Sequence, residues 1–289
     1  MPPSTHPERP QPDGPLVVAY GLGVNSTAML VEFASRAIRP DLILFADTGG
    51  EKPETYAYLR VIRPYLAGVG FPDVTVVRYR PTRAVYHTLE EQCLHTGTLP
   101  SLAYGGKSCS LKYKRTPQDD YILKVYPEPE VRRTRGRVVR ALGYDAGERG
   151  RVVKALGIDA GEGRRINWQT TPPVAGGRLS RDQRLDRDYF AYWHPLYEWG
   201  FDRQRCVEAI TRAGLPVPVK SACFFCPASK RYEILSLRED HPDLMRRALA
   251  IEQNAQAGLT SVKGLGRSFS WQGFLANVDD TPLFDCCGG

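Results

Sequence analysis

Short apolar runs in the first eighty residues predict buried β-strands, because each is rich in aliphatic residues and is bounded by turn-forming residues. Apolar residues at helical spacing follow the first two runs. Strands that alternate with helices in this way are typical of parallel βαβ units. We therefore expect an α/β fold with a doubly wound, mostly parallel sheet. The predicted strands are 16–20, 42–46 and 74–77, and the first predicted helices are 25–37 and 53–66.

The remainder of the chain is less regular. Its pattern predicts helices near 85–93, 202–213, 229–237 and 242–255, and a mobile loop over 170–190, which is rich in Pro, Gly and Arg. The predicted organisation is a disordered tail, a nucleotide-binding α/β domain, a helical region with cysteines and a flexible end, over residues 1–14, 15–190, 191–275 and 276–289.

Composition narrows the function classes. The chain has 289 residues, of which 42% are hydrophobic, so it can bury a substantial core. It contains no apolar run of about 18 residues and no signal-peptide pattern at its start, so we expect no membrane span and a cytoplasmic location. Its seven cysteines are odd in number, which favours metal binding or redox chemistry over a disulfide scaffold.

Basic residues are concentrated in the segment 131–165, which holds ten basic and four acidic residues, a net charge of +6. This charge favours an anionic partner such as a nucleotide or a nucleic acid, although a solvated surface loop is the alternative. The segment contains a repeat of period 14, in which residues 137–150 and 151–164 are identical at ten positions. Only one copy can take the same place in the sheet, and we favour the second copy for the nucleotide site.

A glycine-rich turn follows the first predicted strand, where open α/β sheets bind ligands. Its glycines allow close approach of a phosphate, and the start of the next helix offers N–H donors. The turn resembles the S-G-G-x-D-S-T signature of PP-loop ATP pyrophosphatases, with Asn25 where that family has Asp. The resemblance implies binding of ATP, with Mg²⁺, through Gly21, Gly23, Asn25, Ser26 and Thr27.

The second predicted strand runs into the ten-residue stretch 47–56, which begins Asp-Thr-Gly and ends Pro-Glu-Thr-Tyr. This stretch resembles the corresponding motif of the phosphoadenosine-phosphosulfate (PAPS) reductase family. The resemblance places Asp47 and Thr48 at the nucleotide, with Asp47 also catalytic. A further stretch, 157–165, resembles a G-I-D-A-x-E-x-x-R motif of the same family, which adds Gly157, Glu162 and Arg165 to the expected nucleotide contacts.

Cys223 and Cys226 form a C-x-x-C pair followed by proline, a spacing that lets two thiolates meet one metal. A thioredoxin-like dithiol and plain core cysteines are the alternatives. Cys109 lies among basic residues, which favour a thiolate, and Cys206 lies on a predicted helix. Cys93 is expected to be an ordinary buried residue.

These cysteine stretches also resemble PAPS-reductase-like proteins, a match that covers most of residues 16–275. The resemblance implies the adenine nucleotide α-hydrolase-like fold and a [4Fe-4S] cluster held by Cys109, Cys206, Cys223 and Cys226. Zinc on the same ligands is the main rival, and a three-cysteine cluster that leaves out Cys206 is a further alternative. It also matches Lys114 to a lysine of a C-T-x-x-x-K-x-x-P motif, which we take as catalytic. Cys286 and Cys287, near the chain end, are candidate nucleophiles like the tail thiol of sulfonucleotide reductases.

Three functions remain open on the sequence. The first is activation of a substrate by adenylation, with release of pyrophosphate, for iron–sulfur-assisted sulfur transfer, for which a nucleic acid is one candidate acceptor. The second is reduction of a sulfonucleotide by Cys286 or Cys287. The third is a nucleic-acid-binding module with a structural zinc ion. A homodimer is a further expectation.

Overall fold

The computed structural model describes residues 14–128, 137–143 and 181–279. Within these ranges the strands are β1 (Leu16–Ala19), β2 (Leu42–Asp47), β3 (Val74–Arg78), β4 (Val138–Leu142) and β5 (Phe190–Trp193). The α-helices are α1 (Val24–Ser35), α2 (Pro53–Gly68), α3 (Leu89–Thr96), α4 (Ser108–Ser110), α5 (Thr116–Val125), α6 (Arg181–Asp188), α7 (Pro195–Glu198), α8 (Arg203–Arg212), α9 (Arg231–Asp240), α10 (Pro242–Ala255) and α11 (Trp271–Asp279). A π-helical segment, Leu111–Arg115, separates α4 from α5.

The chain forms two compact units, each assembled from several segments. Of the described residues, unit 1 contains 14–46, 53–77, 118–128, 137–143 and 181–221, and unit 2 contains 47–52, 78–117 and 222–279. The predicted division into 15–190 and 191–275 is therefore replaced by an interleaved one, because the last strand, α7 and α8 pack with the sheet of unit 1 while residues 78–117 pack in unit 2.

Unit 1 contains a five-stranded sheet with the order β3-β2-β1-β4-β5. The central strand β1 pairs in parallel with β2 and β4, and β4 pairs in parallel with β5. Successive side chains along a strand point to opposite faces. Accordingly, Leu16 and Val18 belong to one hydrophobic cluster and Val17 to another.

Helices cover both faces of this sheet. The first cluster contains residues of α1, α2 and α8, and the second contains Ile122 of α5 and Leu185 of α6. The expected α/β fold with a doubly wound parallel sheet is thus confirmed at this coarse level. None of the helices in the described ranges has the length and apolar character needed to cross a membrane.

The prediction of a loop over 170–190 is wrong for its described part, because 181–188 is helical and β5 begins at 190. The helix was missed since Leu185 is its single large apolar residue. Its apolar anchor is nevertheless buried against the sheet. Residues 170–180 lie outside the described ranges.

Unit 2 is built mainly from helices packed around a separate hydrophobic cluster, to which α3, α9, α10 and α11 contribute. The helix predicted near 85–93 begins later, at Leu89. The side chain of Thr88 accepts a hydrogen bond from the Glu91 N–H, and the Glu91 side chain accepts from the Thr88 N–H. This capping box fixes the start of α3.

Candidate functional site

In unit 1, the phosphate loop (residues 21–27) lies at the point where the order of the sheet reverses. Strands β2 and β3 continue to one side of β1, whereas β4 and β5 lie on the other. Such a reversal opens a crevice at the carboxyl ends of the two strands that flank it, and open α/β sheets bind ligands there. The loop follows the carboxyl end of β1.

The residue after β4 touches the phosphate loop. A Cβ at Gly143 would lie 2.8 Å from both the N and the Cα of Ser26, so no larger residue fits without moving the loop. This glycine belongs to the first copy of the repeat, which also supplies β4. The described residues therefore place the first copy in the sheet beside the loop, while the second copy, with Gly157, Glu162 and Arg165, lies outside the described ranges.

Two glycines of the loop are not required by the packing of the chain itself. A Cβ at Gly21 would lie no closer than 3.9 Å to any described atom beyond its chain neighbours, and one at Gly23 no closer than 3.4 Å. Neither glycine has a positive φ, whereas the buried Leu22 between them does, at 59°. Glycine at both positions leaves the backbone open to close approach from outside the chain.

Side chains of the loop serve mainly to shape it. The Ser26 hydroxyl accepts a hydrogen bond from the Gly21 N–H and donates one to the Gly23 carbonyl oxygen, both at 3.2 Å. The buried Thr27 hydroxyl contacts the Tyr20 hydroxyl at 3.1 Å, so it faces the core and not the loop surface. Sequence reasoning assigned both hydroxyls to the ligand.

The start of α1 carries no capping side chain. Gly23 is its N-cap and makes no side-chain hydrogen bond, and its first turn holds no acidic residue. Such a helix start presents backbone N–H groups and a partial positive charge to an anion. Nearby, Arg203 of α8 donates a hydrogen bond from Nη1 to the Asn25 Oδ1 at 3.2 Å, which adds a positive charge that the sequence did not reveal.

In unit 2, Asp47 fixes a tight turn. Its Oδ1 accepts a hydrogen bond from the Gly49 N–H at 2.8 Å, and its Oδ2 pairs with Arg78, whose Nη2 lies 2.7 Å away. Gly49 has a φ of 74°, and a Cβ there would lie 2.4 Å from the Thr88 Cγ2. The Asp47 carboxylate, which the resemblance places at the nucleotide, thus accepts hydrogen bonds from Gly49 and Arg78 of its own unit.

The turn is joined to the C-x-x-C segment. The Thr48 Oγ1 lies 3.3 Å from the Cys223 Sγ, and Glu51 forms an isolated antiparallel bridge with Cys223. The Phe224 N–H donates to the Gly50 carbonyl oxygen at 2.7 Å. The Asp-Thr-Gly motif therefore positions the first cysteine of the pair.

Lys114 brings a positive charge to these thiols. It lies in the π-helical segment, a type of helix distortion found often at functional sites. Its Nζ pairs with Oε1 of the fully buried Glu51 at 3.1 Å. Burial lowers the pKa of Lys114, but negative charge on Glu51, Cys223 and Cys226 outweighs it and raises the pKa overall. The lysine is therefore charged.

Four cysteines of unit 2, Cys93, Cys109, Cys223 and Cys226, form what we call the thiol cluster. Cys93 is buried in the hydrophobic cluster of unit 2, and Cys109 and Cys223 pack against that cluster. Burial raises the pKa of Cys223 to about 12, although Lys114 lowers it in part. Sequence reasoning missed the membership of Cys93, because nothing in its sequence context distinguishes it from a core residue.

The remaining predicted residues are placed differently. Cys206 belongs to unit 1, where it is fully buried in the hydrophobic cluster beside the sheet. Cys286 and Cys287 lie outside the described ranges. Within the part of the chain that the structure describes, no three Cys, His, Asp or Glu side chains are arranged to hold a metal ion.

No protein-family model matches the chain, and no curated protein is significantly similar to it. The membership of the PAPS-reductase-like family therefore stays a prediction that rests on the motifs.

Proposed function

We propose that the chain is an adenine-nucleotide-binding enzyme of the PAPS-reductase-like, PP-loop type. In this proposal it activates a substrate by adenylation for sulfur transfer. The observation that carries the proposal is the phosphate loop at the reversal of the sheet in unit 1, closed from the side by Gly143. The loop offers glycine-lined space and uncapped N–H groups, the features that suit a phosphate chain.

In the proposed reaction, ATP bound at this loop adenylates the substrate. A substrate oxygen attacks the α-phosphorus of ATP. The bond between this phosphorus and the oxygen that bridges it to the β-phosphorus breaks, and pyrophosphate leaves. The N–H groups at the start of α1 and the guanidinium of Arg203 stabilise the negative charge that develops on the phosphates. A sulfur nucleophile at the oxidation level of sulfide then attacks the activated carbon. The C–S bond forms as the C–O bond breaks, and AMP leaves with the substrate oxygen.

The thiol cluster supplies the reason for proposing sulfur chemistry. Its residues fit a metal group with soft ligands, because thiolates are the donors that iron–sulfur clusters and zinc prefer, and the charged Lys114 offsets their negative charge. When bound, such a group would supply the sulfur chemistry. The chain's own contribution is to hold the thiols with Thr48 and Lys114.

The loop can be tested by a substitution that leaves the fold intact. Gly21→Val places a side chain in space that the described chain leaves open, so we expect an unchanged unfolding midpoint and a loss of ATP affinity of about tenfold or more. Gly68→Ala is the control for a glycine outside the loop, since a Cβ there meets no described atom within 4 Å. Calorimetric titration measures the ATP affinity of both variants, and thermal unfolding measures their midpoints. Equal ATP affinity of the Gly21→Val variant and the wild type would refute the proposed binding mode.

The reaction is tested separately by its products. Pyrophosphate release from ATP, in the presence of an RNA or DNA acceptor, supports adenylation. Release of sulfite from PAPS, lost when the last four residues are deleted, would instead identify a sulfonucleotide reductase. Intact nucleotide together with salt-sensitive nucleic-acid binding would identify a binding module.

A further inference from the structure

The predicted set of metal ligands is divided between the two units. Cys109, Cys223 and Cys226 belong to unit 2, whereas Cys206 belongs to unit 1. Cys206 is 0% exposed and lies among Phe201 and other apolar residues of its cluster. Burial does not distinguish Cys206 from Cys93, but their neighbours do: Cys206 packs in the cluster of unit 1, whereas Cys93 shares its cluster with Cys109 and Cys223.

Unit 2 contains a fourth thiol of its own. Cys93 lies on α3, is 1% exposed, and shares its hydrophobic cluster with Phe224 and Phe225, the two residues inside the C-x-x-C pair. Cys109 and Cys223 pack against the same cluster. Three separate segments of unit 2 thus bring their thiols to one hydrophobic cluster.

Hydrogen bonds connect α3 to both of the other segments. The Leu89 N–H donates to the Thr48 carbonyl oxygen at 3.3 Å, and the Thr48 hydroxyl in turn contacts the Cys223 Sγ at 3.3 Å. The Gln92 Oε1, one residue before Cys93, accepts from the Lys112 Nζ at 2.7 Å and from the Tyr113 hydroxyl at 2.8 Å. These contacts fix Cys93 relative to the segments that carry Cys109 and Cys223.

We propose that Cys93, and not Cys206, is the fourth thiol of a soft-metal site formed with Cys109, Cys223 and Cys226. The ligand class is a thiophilic metal centre, either an iron–sulfur cluster or a zinc ion. The inference rests on the proposed function, because the expectation of a metal group comes from the resemblance of the motifs.

Binding of the metal follows simple chemistry. Each thiol releases its proton to solvent as its sulfur bonds to the metal, and no electron is transferred. Burial, followed by the charges of Cys109, Cys223 and Glu90, raises the pKa of Cys93 to about 12, so the metal-free thiol is protonated. The side chains must also rotate toward the metal, since in the described structure they are not arranged as ligands.

Cobalt binding tests the assignment without any activity measurement. The full chain, reduced and freed of metal, is titrated anaerobically with Co²⁺, and the thiolate-to-cobalt charge-transfer absorption reports the number of sulfur ligands. We expect Cys93→Ser to lose about a quarter of this absorption and to bind Co²⁺ at least about tenfold more weakly. Cys206→Ser, which also replaces a buried cysteine, serves as the matched control and should match the wild type.

A second measurement needs no substitution and so does not depend on how a variant folds. The wild-type chain is alkylated with iodoacetamide in urea, with and without Co²⁺ bound beforehand, under conditions that retain the metal. Mass spectrometry then identifies the protected cysteines. Protection of Cys93 with the three other members of the thiol cluster supports the inference, and protection of Cys206 in its place overturns it.

The two proposals fail in different ways. A wild-type chain that binds no Co²⁺ and contains no iron, sulfide or zinc after anaerobic purification refutes the metal group and the inference together. A wild-type chain that binds Co²⁺ through Cys206, with Cys93→Ser unchanged, refutes the inference alone. Iron and sulfide analysis distinguishes a cluster from zinc.

Discussion

The phosphate loop of unit 1 consists mainly of backbone and glycine, whereas the thiol cluster of unit 2 consists of side chains. In unit 1 the buried charged pair, Arg140 with Asp119, lies on the sheet and contributes to the fold. In unit 2 the pair of Lys114 with Glu51 lies beside Cys223. In the proposed function, binding in unit 1 depends mainly on the shape of the backbone, aided by the positive charge of Arg203, while binding in unit 2 depends on the balance of charge. Changes to the charged pair Arg140–Asp119 should therefore alter the stability of unit 1, whereas changes to Lys114 should alter binding in unit 2.

The largest expected effect tests the structural charges of unit 1. Arg140 and Asp119 are each only 4% exposed, and the guanidinium also lies over the ring of Phe190, 4.2 Å from its centroid. Asp119→Ala leaves a buried positive charge without its main counter-charge, so we expect the free energy of unfolding to fall by about 3–5 kcal/mol. Urea unfolding measures this loss.

A double variant is the control for this prediction. Asp119→Leu combined with Arg140→Met replaces the ion pair by apolar side chains, which is often neutral or stabilising for buried pairs. We therefore expect the double variant to be more stable than Asp119→Ala. A single variant as stable as the wild type would show that the pair does not support unit 1, and would weaken the contrast between the units.

A smaller effect concerns His194, which burial in unit 1 keeps uncharged. Burial lowers the pKa of His194 from 6.5 to about 4, and the residue is 4% exposed. Between pH 4 and pH 6.5, His194 therefore carries a proton in the unfolded chain but not in the folded chain. The contribution of neutral His194 to the free energy of unfolding is fully present above pH 6.5 and decreases as the pH falls toward 4. Between pH 7.5 and 5 we expect a loss of about 2 kcal/mol from this group.

Urea unfolding of the wild type and of His194→Gln at the two pH values isolates this contribution, since glutamine does not titrate. The variant should lose less stability on acidification than the wild type does. Identical losses in both proteins would show that another group carries the pH dependence, and that unit 1 does not exclude charge at this position.

The two units also differ in how far the sequence predicts them. The first three strands were predicted because apolar runs such as 42–46 are buried on both faces of a sheet, whereas β4 and β5 were not among the predicted strands. The glycine turn at 21–23 was predicted because its residue types suit phosphate. The contact of Arg203 with the loop was not predicted, because its hydrogen bond to Asn25 joins residues 178 positions apart in the sequence. The sequence predicts Cys93 only as a core residue, because its position beside Cys109 and Cys223 results from packing between segments distant in sequence, for which spacing gives no signal.

The smallest expected effect tests whether charge balance governs the thiol cluster, and it rests on the metal site inferred above. Lys114 is partly exposed and lies near Cys223, so its contribution to holding thiolates is screened by solvent. Lys114→Met removes the positive charge while keeping most of the side-chain volume. A difference of about 1 kcal/mol would weaken Co²⁺ binding about fivefold.

Lys114→Arg keeps the charge and should bind Co²⁺ nearly as the wild type does. Equal Co²⁺ affinity of all three proteins would mean that shape governs unit 2 as well, and the contrast between the units would be lost.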